Sequence, residues 1–108
     1  MTLDMYDKLI HIAGYFRIGM PLYKATANGK VLGYTLNKIT IEVLTNEIVN
    51  IIFECEADYM HLDEYFKYED IEKKILFTDK DRAHEQANKN YVEFFDSEKR
   101  KVSKDDWN

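Results

Sequence analysis

The chain predicts an α+β fold: a small twisted antiparallel sheet, or a partly open SH3-like barrel, of about four to six strands flanked by an N-terminal and a C-terminal helix. Three observations predict it. Apolar residues recur at helical spacing over residues 2–16 and again beyond Thr78. Between those stretches the period falls to two, as expected for half-buried strands. Two turn-forming pairs, Asn28-Gly29 and Thr45-Asn46, divide the strands from one another.

The elements follow in order. Leu3, Tyr6, Leu9, Ile10, Ala13 and Phe16 trace one side of a first helix, with Thr2 as its N-cap. Gly14 and Gly19 weaken that helix and Pro21 ends it. Leu22–Thr26 reads as a strand. Val31–Leu36 follows the Asn28-Gly29 turn with Leu32, Tyr34 and Leu36 on one face. Lys38–Val43 alternates, with Ile39, Ile41 and Val43 turned inward. Glu47–Asp58 is the strongest strand: Val49, Ile51, Phe53, Cys55 and Ala57 share one face, while Asn50, Glu54, Glu56 and Asp58 share the other. Ile48 and Ile52 interrupt the polarity of that second face, so its first half is expected to be covered. Tyr59–Tyr68 reads as a loop or short strand in which Phe66 is buried. Glu69–Lys73 reads as one helical turn and Lys74–Phe77 as a closing strand. Thr78 with Asp81 resembles a capping box, and Ala83, Ala87, Tyr91, Phe94 and Phe95 form the stripe of a second long helix.

A chain of 108 residues, 45% hydrophobic and 14% aromatic, fits one domain with a core of its own. Residues 1–95 are read as that domain and residues 96–108 as a polar tail that frays. Cys55 is the single cysteine, which excludes an intramolecular disulfide and a cysteine zinc cluster. Its place on the inward face predicts an inert buried thiol. The opening MTLDMYDKLI has an early Asp and no basic n-region, so no secretory signal is expected there. The weakly charged run Val43–Phe53 is too short and too polar to span a bilayer. These features predict the cytoplasm of a cell with a reducing interior. A net charge of −5 argues against direct binding to nucleic acid or to an anionic membrane and favours basic partners.

The run YFKYEDIEKKILFTDKDRAHEQ, with ANGKVLGYTLNKITIEV upstream, resembles small bacteriophage and mobile-element accessory proteins. They are similar in an aromatic, an acidic turn with Ile, a Phe-Thr strand end and a helix that opens on acidic residues. The resemblance spans residues 20–92, and it implies a phage or prophage origin and an accessory role. It carries over no functional residues. Where those relatives often have Gly-Lys in the acidic turn, this chain has Lys73-Lys74.

Eight carboxylates lie between Glu54 and Glu72, opposed only by Lys67 before Lys73. The spacing of Glu54, Glu56 and Asp58 puts three of them on one side of a strand, where like charges repel. With Asp63, Glu64 and the aromatic anchors Tyr59, Tyr65 and Tyr68, they form the candidate partner-binding set. The expected partner is a basic surface of a host protein, one that ordinarily holds nucleic acid. The expected function is non-catalytic: inhibition of a bacterial defence system, of the anti-CRISPR type. A plain solvated face is the alternative explanation of the same charges.

Other classes have weaker support. Glu54, Glu56, Asp58, His61 and Asp63 supply metal-ligand types, but no HExxH, EF-hand loop or CxxC organises them, and no cofactor is expected. No P-loop, GxSxG or GxGxxG is present, and His11 and His84 fall on exposed helix sides, so enzyme activity is not expected. An SH3-like nucleic-acid module would use Lys30, Lys38 and the tail cations Lys99, Arg100, Lys101 and Lys104. Trp107 is a further terminal anchor candidate, and an open sheet edge would support a homodimer.

Overall fold

A computed structural model describes residues 3–106. The fold is α+β. Helix α1 (Leu3–Tyr15) precedes strands β1 (Pro21–Ala25), β2 (Val31–Leu44), β3 (Glu47–Ala57) and β4 (Asp63–Lys67). A short helix α2 (Tyr68–Glu72), a two-residue strand β5 (Leu76–Phe77) and helix α3 (Lys80–Asp106) complete it. The five strands form one antiparallel sheet in the order β4-β3-β2-β1-β5. Among the described residues β4 and β5 do not pair with each other, so the sheet is open and no barrel closes. Both edges are short, and β4 carries Asp63, Glu64 and Lys67, which discourages edge-to-edge pairing.

The turns follow from residue chemistry. Gly29 takes φ 91°, and its N–H donates to the Thr26 carbonyl, closing a tight connection between β1 and β2. Thr45 and Asn46, at φ 53° and 62°, make the two-residue turn between β2 and β3, and two positive values in succession give the turn a twist that matches the flanking strands. Val31–Leu36 and Lys38–Val43 belong to one strand, β2. A register shift at Asn37 flips the side-chain parity between them, which is why Leu36 and Ile39 both turn toward the core side. Beyond Ile39 the hairpin overhangs the body, so Ile41 and Val43 are exposed, not buried as their alternation predicted. A second shift between Glu42 and Val43 lets Ile48 reach the core.

The core lies on one face of the sheet, where Leu22, Tyr34, Leu36, Ile51, Phe53, Cys55, Phe66 and Leu76 are buried. Helix α1 covers part of it through Leu9, Ile12 and Phe16, and Phe16 stacks on Phe53 at 5.0 Å. The predicted stripe is rotated: Tyr6, Ile10 and Ala13 are exposed, while Ile12 is buried. The proposed cap Thr2 and the anchor candidate Trp107 lie outside the described residues.

Helix α3 packs on β1 and β5, with Ala83 and Ala87 buried. Its N-cap is Asp79, not Thr78: the Asp79 carboxylate accepts from the N–H groups of Asp81 (2.8 Å) and Arg82 (3.4 Å). Tyr91, Phe94 and Phe95 continue the stripe in sequence but are exposed. The helix also runs past Asp96, where the sequence predicted fraying. Glu, Lys and Arg are strong helix formers, so a helix needs no apolar period to continue there.

Candidate partner-binding face

Cross-strand register decides which acidic side chains share a surface. Glu56 stands between Thr35 on β2 and Asp63 on β4, and Glu54 stands between Lys38 and Tyr65. Paired residues point to the same face of a sheet. Glu54, Glu56, Asp63 and Tyr65 therefore share the face opposite the core. Asp58 joins them at the end of β3: its Oδ1 accepts from the Thr35 hydroxyl at 3.0 Å. A side chain at Gly33 would place its Cβ 2.9 Å from Asp58 Oδ2, so glycine keeps that position open for the carboxylate. Asp58, Asp63 and Tyr65 are exposed, and Glu54 and Glu56 are half-exposed.

Two lysines share this face: Lys38 stands in register with Glu54, and Lys67 with Ile52. His61 Nδ1 lies 3.4 Å from Glu56 Oε1, a charged contact only when the imidazole is protonated. Among the described residues no Lys or Arg makes an ion pair with Glu54, Glu56, Asp58 or Asp63. Lys38, named with Lys30 as a nucleic-acid edge, stands in register with Glu54 inside the acidic face, so no basic stripe forms there. Among the described residues no cluster of three His, Cys, Asp or Glu side chains has the geometry to hold a metal ion.

Glu64 belongs elsewhere. It pairs across the ladder with the buried Cys55, which turns it to the core face. There it accepts a short hydrogen bond from the Tyr34 hydroxyl and meets Lys24 Nζ at 3.0 Å. Lys24 also lies 5.7 Å above the Phe66 ring. Burial, then the bond to Glu64 and its charge, push the Tyr34 phenol well above its usual range. Burial, followed by the charges of Glu64 and Glu54, pushes the Cys55 thiol up to about 12. The thiol is therefore protonated at neutral pH and a poor nucleophile.

Two aromatics of the candidate set also stand apart from the acidic face. Tyr68 is half-buried on α2, sharing a 2.8 Å hydrogen bond with His11 Nδ1 while Lys8 Nζ sits 5.3 Å above its ring. His11 is thus engaged and half-buried, not on an exposed side as its spacing predicted. Tyr59 is exposed in the β3–β4 connection and lies beside the Tyr34 hydroxyl. Of the three aromatic candidates only Tyr65, 63% exposed, lies in register with the acidic residues.

The Lys24–Glu64–Tyr34 cluster was not visible in the sequence. Its signal is the parity of β4, which can be read only once Asp63–Lys67 is known to be a strand in register with β3. No described helix is long and apolar enough to cross a membrane. No family model, no curated protein and no solved structure matches this chain.

Proposed function

We propose that the chain is a non-catalytic interaction protein that occupies a basic surface of a partner protein with the acidic face of its sheet. In its specific form it is an accessory protein of a phage or mobile element. It inhibits a bacterial defence protein that handles nucleic acid, of the anti-CRISPR type, in the host cytoplasm. The observation that carries the reading is the alignment of Glu54, Glu56, Asp58 and Asp63 beside exposed Tyr65, without ion pairs to Lys or Arg among the described residues. Concentrated charge of one sign speeds encounter with an opposite surface, and a rigid aromatic beside it supplies apolar contact area.

Capture by the tagged protein from a bacterial lysate tests this, at low and at moderate salt. The expected result is a basic, nucleic-acid-handling protein that elutes as salt rises and is displaced by duplex DNA. Charge reversal by Glu54→Lys, Glu56→Lys and Asp63→Lys is expected to abolish the capture. Unchanged capture by that triple variant would remove the acidic face from the explanation.

A further inference from the structure

The cavity between α1, the α2–β5 turn and α3 has the opposite electrostatic character to the sheet face. Its volume is about 410 Å³, within the usual span of small-ligand sites. Phe16, Ile71, Leu76 and Phe77 supply an apolar wall. Lys74, Arg82 and Lys89, all exposed, stand at its mouth. Asp79 and Glu85 border it too, yet among the described residues none of the three cations makes an ion pair with any carboxylate. Asp79 is already engaged by the first N–H groups of α3. The result is an opening with three cations to two carboxylates over an apolar wall, in a chain of net charge −5.

Lys74 supplies an independent observation. Helix α2 ends with the Lys74 N–H donating to Ile71 O (3.2 Å) and the Ile75 N–H donating to Asp70 O (2.9 Å). That is the paired closure of a helix end whose left-handed position glycine normally fills. Lys74 takes it at φ 61°, at a cost of roughly 1 kcal/mol relative to glycine. Lys74 thus holds a strained backbone position while lining the cavity, which points to use of its ammonium group.

We propose that this cavity binds a small amphipathic anion, a planar apolar body ending in a phosphate or carboxylate. Phe77 and its apolar neighbours receive the body, and Lys74, Arg82 and Lys89 meet the charge. The site shares no residue with the acidic face and stands or falls separately from it.

Naphthyl phosphate, titrated into the full chain and followed by amide NMR, tests the proposal. The expected result is saturable shifts centred on residues 71–77 and the first turns of α3. Naphthol and inorganic phosphate, each offering half of the ligand's chemistry, should bind about tenfold more weakly or worse. Lys74→Gly and Arg82→Gln should each weaken naphthyl phosphate about tenfold. Lys74→Gly relieves backbone strain, so its melting temperature should hold or rise, which separates lost binding from lost folding. Shifts that do not saturate or lie elsewhere, equal affinity for naphthol, or undiminished binding by both variants would overturn the proposal.

Discussion

Replacing Glu64 with Ala leaves a buried phenol and a half-buried ammonium without their acceptor at one stroke. An unsatisfied buried donor costs about 1–3 kcal/mol, so Glu64→Ala should destabilise by about 2 kcal/mol in urea denaturation, and Glu64→Gln by less. Capture of a partner should survive the substitution, since Glu64 faces the core and not the sheet surface. Cys55 and Tyr34 set a pH limit in the same region. Both groups hold their protons more tightly folded than unfolded, so the unfolded chain releases them first as pH rises. The Cys55 contribution is complete below the ordinary thiol value of 9.0 and is lost as pH climbs toward about 12, while that of Tyr34 begins to fall only above the ordinary phenol value of 10.0. Each group should lower stability by up to about 1.4 kcal/mol per pH unit across its window, measured by denaturation at a series of alkaline pH values. Cys55→Ala should remove its own share of that slope.

Helix α3 meets the sheet through small residues, and that close approach is set partly by a turn. A Cβ at Gly29 would overlap Tyr91 Cβ, and the residue would also be held at φ 91°. Gly29→Ala should therefore cost about 2 kcal/mol or more, through steric displacement of α3 and backbone strain together. Thermal melts of Gly29→Ala, Tyr91→Gly and the double variant check the origin, because Tyr91→Gly removes the Cβ overlap and leaves the strain at φ 91° in place. The elements themselves were legible where local chemistry decides them. The Thr45-Asn46 turn, the parity of Ile51–Ala57 and the helical turn at Glu69–Lys73 all follow from neighbouring residues. What was not legible depends on distant partners. Asn37 reads as a break between two separate strands until β3 supplies the register that joins them into one strand with a shift there. Lys74–Phe77 reads as a four-residue strand, but the closure of α2 consumes Lys74 and only Leu76–Phe77 pair with β1. Of the candidate set, Glu54, Glu56 and Asp58 came from a period of two that survives folding, whereas Asp63 was marked only by its charge and reaches the same face through the β4 register. Glu64 was misplaced because a stretch read as loop or strand has no defined parity.

At the scale of the whole molecule the charge is unevenly placed, and the shape leaves it exposed. The radius of gyration is 17.2 Å, against about 13 Å for a compact chain of this length. The long β2–β3 hairpin and α3 account for the extension, so much of the sheet surface stays open to contact. Clustered carboxylates on one face repel one another, a cost carried by the folded state and reduced by screening. The melting temperature of the natural chain should therefore rise between about 10 mM and about 0.5 M NaCl, as the Debye length falls from about 30 Å to a few ångströms. Reversing Glu56 and Asp63 to Lys should raise the melting temperature at low salt and flatten its salt dependence. If the same variant also loses its partner, stability and binding have moved in opposite directions. Loss of capture together with a gain in stability would mean that these carboxylates act through a partner and not through the fold. A double variant that melts lower than the natural chain at low salt would mean that the acidic residues support the fold. The charge pattern would then cease to be an argument for a partner.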